Sequence, residues 1–247
     1  MSYDIPALCA PATFRKATAS DIDDVTAIYD AILTEEEAGR AATGWRRGIY
    51  PVRSTAETAL ARGDLFVAET DGKIAAAAVL NHIQVDAYAG APWEFNAPDA
   101  EIFVMHTLVV DPAAGGHGLG RAFENFYEQE AARQGCRYLR IDTNARNTRA
   151  RQLYHSLGYK EIGVVSCTFN GLSDIDLVLL EKALRKTLNK RCGRMGNPIR
   201  PRLRFIPFSG KPLIRRRQAK GSRLRLQQSP RDLTCRAGRR KRTSRPA

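Results

Sequence analysis

Four glycines, at positions 115, 116, 118 and 120, stand between the apolar run LVV at 108–110 and the amphipathic run LGRAFENFYEQEA at 119–131. Glycine takes positive φ and lets another group approach the backbone closely, and a helix start leaves several N–H groups without intrahelical acceptors. A strand that turns into a helix through such residues is a cradle for an anion such as phosphate, which the helix dipole also favours. The same composition serves a purely structural turn, and two named phosphate motifs are missing: there is no GxxxxGK[ST], and GGHGLG is not GxGxxG. Just upstream, His106 interrupts the apolar run EIFVMHTLVV at 101–110. An imidazole with its ordinary pKa near ~6.5 suits proton removal at neutral pH, and a histidine in an apolar strand is as often a core residue.

The elements that must position these residues follow from periodicity. Phe14 to Lys16 starts a strand, and Ser20 with Asp23 three residues on reads as a capping box opening a helix with Val25, Ile28, Tyr29 and Ile32 on one stripe. That helix ends near Glu35–Glu37 and Gly39, and a second, Ser54 to Arg62, stops at Gly63. DLFVAET and KIAAAAVL, joined through Asp71-Gly72, form a hairpin. A loop at 82–100 leads to the buried strand at 101–110, the glycine turn, a helix stopped by Gly135 and the strand RYLRID, which together make a βαβ unit. A short helix from Thr148 to Leu157 ends at Gly158, and EIGVVSCTF with DIDLVLLEK forms a closing hairpin through Asn170-Gly171.

In NTRARQLYHSLGY at 147–159, the residues Asn147, Ala150, Leu153, Tyr154, Gly158 and Tyr159 follow the pattern N-x-x-A-x-x-L-Y-x-x-x-G-Y. Together with LVVDPAAGGHGLGRAF at 108–123, this resembles the GNAT family of acetyl-CoA-dependent N-acetyltransferases, over roughly residues 13–184. The resemblance implies an α+β fold, a central mixed and mostly antiparallel sheet with helices on both faces. It implies an acyltransferase that moves the acetyl group of acetyl-CoA directly to a primary amine, on a small molecule or on a protein N-terminus or lysine. The CoA pyrophosphate would be wrapped by the N–H groups of Gly116, His117, Gly118, Leu119, Gly120 and Arg121. The first motif position, usually Gln or Arg in the family, is Gly115 here, with Arg121 as a partial substitute. Main-chain groups of Leu108, Val109 and Val110 would hold the pantetheine arm, and Asn147 matches an asparagine that contacts it, a residue equally suited to cap a helix.

For the chemistry, Tyr154 matches the family's general acid toward the CoA sulfur, the alternative being an ordinary core tyrosine. The position where several relatives carry a glutamate base aligns with Val104, which leaves four candidates. His106 lies two residues on, and Asp142 matches a glutamate base of ribosomal-protein acetylating relatives. Glu101 has the wrong parity unless a bulge shifts the register, and a water relay is the fourth. The family's acceptor slot falls near Trp45, Tyr50, Tyr88, Trp93 and Phe169, with Glu35, Glu36 and Glu37 at a rim that would attract a cationic amine.

Charge divides the chain. Residues 185–247 hold 22 of the 39 Lys and Arg and one acid, Asp232, leaving 17 basic and 25 acidic residues in 1–184. A segment so charged and so broken by proline is expected to be disordered. The domains expected are therefore an extension at 1–12, a GNAT domain at 13–184 and a basic tail at 185–247. Such a tail suits binding to nucleic acid or an anionic membrane by counterion release, so the rival reading is a nucleic-acid-associated protein with an idle or regulatory GNAT domain. Five scattered cysteines without CxxC pairs read as reduced thiols, with no metal site, in a cytoplasmic protein lacking a leader or a membrane span. Assembly as a homodimer is left open.

Overall fold

The computed structural model describes residues 12–184. The expectations for 1–11 and for the basic tail lie outside them. The strands in chain order are β1 (Thr13–Lys16), β2 (Leu65–Thr70), β3 (Lys73–Asn81), β4 (Ile102–Val110), β5 (Tyr138–Asn144), β6 (Lys160–Phe169) and β7 (Leu172–Ala183). The helices are α1 (Ile22–Glu37), α2 (Arg53–Arg62), α3 (Leu119–Arg133) and α4 (Thr148–Ser156).

Two dipeptides set the register of the two hairpins. Asp71 and Gly72 have φ of 51° and 73°, and Asn170 and Gly171 have 51° and 77°. Positive φ at both central residues is the turn whose twist matches paired strands, so β2 returns as β3 and β6 as β7. The seven strands form one sheet in the order β1-β2-β3-β4-β5-β7-β6. Its one parallel pair is β4 with β5, joined through α3. This is the mixed, mostly antiparallel sheet that the resemblance implied.

Alternation along the strands assigns a core to each face. Phe103 and Met105 of β4, with Leu139 and Ile141 of β5, pack against Leu119, Phe123, Tyr127 and Ala131 of α3 and Tyr154 of α4. On the opposite face α1 and α2 bury Val25, Ile28, Tyr29, Ala56 and Ala59 against β2 and β3. Tyr88, from the segment between β3 and β4, covers Ile102, Val104, Leu177 and Leu179. Each large side chain removed from water in this way contributes about 1.5–3 kcal/mol before entropy is counted. The Tyr127 hydroxyl also donates to the Phe103 carbonyl oxygen at 2.5 Å and lies 3.3 Å from that of Arg140, tying α3 to both parallel strands.

Two local expectations are corrected. The capping box belongs to Thr18 and Asp21, not Ser20 and Asp23: the Asp21 carboxylate accepts from Thr18 N at 2.7 Å and from Thr18 Oγ1 at 2.8 Å. Arg15 holds that carboxylate at 2.7 and 2.9 Å, so a 3-10 turn at Ala19–Asp21 forms before α1. Glu101 lies in a 3-10 turn (Asp99–Glu101), paired with Arg137 at 3.1 Å, and β4 starts after it. Among the described residues no helix is long and apolar enough to cross a membrane.

Candidate active site

The sheet opens at its parallel pair. β4 pairs with β3 as far as Val110, but with β5 only from Ile102 to Met105. From His106 onward the side of β4 that faces β5 has no ladder partner among the described residues. A bulge re-aims the strand there. Ala77 pairs with Val109 and Val79 with His106, so β4 spends one residue more than β3, and Thr107 takes a φ of 52°. The Thr107 hydroxyl shares a hydrogen bond with the Tyr50 hydroxyl. Leu108, Val109 and Val110 all lie in this opened stretch.

The glycine turn sits at its mouth. After β4, Asp111 accepts from Ala113 N at 2.9 Å and starts a 3-10 turn at Pro112–Ala114. Gly116 has φ 84° and Gly118, the N-cap of α3, has φ 80°. A β-carbon at either would meet no protein atom within 4 Å, so glycine there answers to backbone conformation and open space in front, not to internal packing. Gly120 differs, since a β-carbon there would make ordinary contact with Leu153 Cδ2 at 3.5 Å and Val110 Cγ2 at 3.9 Å, so protein packing alone does not demand glycine at this position. The first helical bond is Ala122 N to Gly118 O at 2.9 Å. None of the six amides from Gly116 to Arg121 has an acceptor among the described residues. The Arg121 guanidinium donates to Ser156 Oγ at 2.6 Å and so turns toward the end of α4.

α4 brings two of the expected residues. Asn147 caps it, its Oδ1 accepting from Ala150 N at 3.1 Å. Tyr154 is buried, 5 % exposed, edge-on to Tyr159 with ring centroids 5.6 Å apart. Burial pushes its phenol well above the ordinary tyrosine range, and the charges of Asp142 and Glu124 act in the same direction. It holds its proton throughout the neutral range.

Asp142 lies on the face away from α3. Its Oδ2 accepts from the Tyr88 hydroxyl at 2.9 Å. Burial pushes the carboxyl up to about 6, against the pull of that hydrogen bond. Tyr50 is pushed up to about 12, mainly by burial and further by the charge of Asp142. The charge of Asp142 thus pushes Tyr50, Tyr88 and Tyr154 in the same direction, upward, and Tyr88 also donates to it.

His106 is arranged otherwise. Its Nε2 faces Asn81 Oδ1 at 3.2 Å and Ile83 O at 3.1 Å, and two acceptors there place the proton on Nε2. Asn81 is oriented by donating to Asp64 at 2.8 Å. Burial pushes the imidazole down to about 4, so it is neutral, with its Nε2 proton engaged toward the end of β3.

The three glutamates expected at a rim each have partners within the protein. Glu35 pairs with Arg40 at 2.7 Å and Glu37 with Arg47 at 2.9 Å. Glu36 accepts from Thr43 N at 2.6 Å and Gly44 N at 3.1 Å. These carboxylates are satisfied within the protein and offer little field to an incoming cation. The aromatic residues are better placed: Trp45 stands edge-on to Tyr50 at 5.8 Å, and Trp93 edge-on to Tyr88 at 5.1 Å. Phe169 packs against the Tyr88 cluster. Thr107 and Arg140, both of which support this region, carried no signal in the sequence.

A sheet opened at one parallel pair, with a helix start of unpartnered amides at the opening, leaves among the described residues a cleft lined by free backbone groups. The model described as the Acetyltransferase (GNAT) family matches residues 26–159, more than half of the chain, and the chain belongs to that family. It is an acyltransferase, of a family that uses acetyl-CoA. Solved structures agree on the fold. An N-acetyltransferase from Staphylococcus aureus Mu50 is 21% identical with a TM-score of 0.54, the match covering 71% of this chain and 100% of that one. A GNAT acetyltransferase from Streptococcus agalactiae 2603 is 20% identical with a TM-score of 0.57, over 71% and 96% of the two chains. A chain from Salmonella typhimurium assigned as an acetyltransferase, solved with its cofactor acetyl-CoA, is 20% identical with a TM-score of 0.51, over 72% and 96%. None of the curated proteins compared matches the chain.

Proposed function

We propose that the protein transfers the acetyl group of acetyl-CoA directly to a primary amine, with residues 13–184 as the catalytic unit. The observation that carries this reading is the row of six unpartnered amides at the opening between β4 and β5, with a half-buried carboxylate, Asp142 of β5, and a buried phenol, Tyr154 of α4, on the elements that follow. The residues present fit the cofactor. The amides of Gly116 to Arg121 would hold the diphosphate, main-chain groups of Leu108, Val109 and Val110 the pantetheine arm, and Asn147 would contact that arm with the amide nitrogen its cap bond leaves over. When bound, acetyl-CoA supplies an acetyl thioester.

The chain's own groups then handle protons. Asp142, ionised above about pH 6 and held by Tyr88, removes a proton from the incoming amine. His106 is not assigned this task, because its Nε2 proton is engaged with Asn81 Oδ1 and Ile83 O and burial pushes its imidazole down to about 4. Tyr154, still protonated at neutral pH, holds the proton that the departing sulfur needs. Tyr50, Tyr88 and Trp93 give the acceptor an aromatic wall with Asp142 as its half-buried anion, which suits a primary amine on an apolar body.

The first test is the thermal midpoint of the full chain with and without acetyl-CoA. A ligand at ~100 times its Kd adds about 2.7 kcal/mol, so a rise of several degrees is expected, and no rise would reject the cofactor assignment. Tyr154→Phe is expected to lower kcat by roughly 10²-fold while keeping that rise. Unchanged turnover would remove Tyr154 from the mechanism. The rival reading rests on charge alone, with 22 Lys and Arg in 185–247, and predicts nucleic-acid binding that disappears when those residues are deleted.

A further inference from the structure

Two opposite charges are buried beneath the segment that carries Tyr88. Arg140 of β5 is 4 % exposed and Glu181 of β7, its cross-strand neighbour, is 1 % exposed. Desolvating charges is costly unless their hydrogen bonds are met, and Arg140 Nε and Glu181 Oε2 have no hydrogen-bond partner among the described residues. Both side chains turn to the segment above. The Arg140 guanidinium donates to Gln84 Oε1 and to Phe95 O at 2.9 Å, and stacks 3.8 Å from the centre of the Trp93 ring. Glu181 Oε1 accepts from Glu94 N at 2.5 Å. Between these anchor points, Trp93 Nε1 donates to Tyr88 O at 3.0 Å, and the Tyr88 hydroxyl reaches Asp142.

We propose that Arg140 and Glu181 form a latch that clamps residues 84–95 to the sheet, which makes Arg140 a positioning residue for Asp142, acting through Tyr88. What Asp142 does there rests on the acetyl-transfer reading; the latch itself does not. A planar guanidinium suits the task, because its donors reach a side-chain amide and a backbone carbonyl while its face lies on an indole. Without Arg140 the segment loses three of its ties at once, and water reaches the half-buried Asp142 more freely.

The test uses the full chain and needs no acceptor. Hydrogen exchange of 84–95 is measured in Arg140→Met beside the titration of the Asp142 carboxyl by ¹³C NMR. The segment is expected to exchange faster by roughly tenfold or more, with peptides from α3 unchanged. The Asp142 midpoint is expected to fall from about 6 toward the ordinary carboxylate range, because solvent replaces burial. Tyr88→Phe is expected to move it the other way, upward, since only a donor is lost. Unchanged exchange in 84–95 would overturn the latch, and so would an upward midpoint in Arg140→Met, the sign of a lost positive charge alone. If Arg140→Met fails to fold, Gln84→Ala removes one anchor outside the core, with smaller changes of the same sign expected; no change there would also overturn it. The acetyl-CoA thermal shift, run on the same samples, is a separate readout. Its absence in the unaltered chain would reject the acetyl-transfer reading and leave the latch standing.

Discussion

Gly118→Val is expected to abolish the thermal shift given by acetyl-CoA. Gly118 caps α3 with a φ of 80°, a region in which a β-branched residue is an outlier, so the variant either strains or shifts the backbone that aims the amides. No protein atom lies within 4 Å of the new β-carbon, so the side chain itself clashes with nothing in the fold and fills the space before the helix start. Losing two charge-assisted hydrogen bonds, at ~1.5–3 kcal/mol each, weakens binding roughly 10²- to 10⁴-fold. Gly39→Val is the matched control: its φ is 71° and its β-carbon would also meet nothing within 4 Å, at the far end of α1. It is expected to lower the melting temperature comparably and keep the ligand shift. A Gly118→Val protein that still shifts normally would dismiss the phosphate cradle.

The second large effect falls on turnover. Asp142→Asn is expected to lower kcat/KM by roughly 10²- to 10⁴-fold, the usual contribution of a positioned base. In the unaltered protein kcat/KM is expected to rise with pH through about 6 and then level off, and the variant to lack that limb. Stability moves oppositely. Folded Asp142 binds its proton more tightly than the unfolded carboxyl near ~3.9, so stability falls as pH climbs from about 4 to about 6. Asparagine has no such titration and still offers Tyr88 an acceptor. Above pH 6 the variant is therefore expected to melt higher than the unaltered chain, and an inactive variant that melts lower would point to misfolding and not to a lost base.

Much of the scaffold was legible because it is local. Asp71-Gly72 and Asn170-Gly171 dictate their hairpins, and Gly63, Gly135 and Gly158 mark helix ends, all with positive φ. The glycine turn was legible for the same reason. What failed depended on partners distant in the chain or on unusual backbone. Arg15 chooses which aspartate caps α1, and nothing in ASDIDD at 19–24 signals that choice. Thr107 at φ 52° contradicts the preference of a β-branched residue, so no propensity argument locates the bulge. The bond that Tyr88 gives Asp142 joins residues 54 apart in the chain, and Arg140 acquires meaning only from the segment folded over it.

The row of amides at the start of α3 carries no formal charge, so a diphosphate held there, as proposed, would respond to salt differently from a polyanion held by the basic residues of 185–247. A polyanion held by lysines and arginines expels condensed counterions, so its affinity drops steeply as salt is added. One gripped by backbone N–H groups expels few. In residues 1–184, where 25 acids outnumber 17 bases, screening even eases the approach of a dianionic diphosphate. Were residues 185–247 to hold nucleic acid, sodium chloride that strips it away is expected to leave a cofactor held by these amides in place, so one titration tells the two proposed contacts apart.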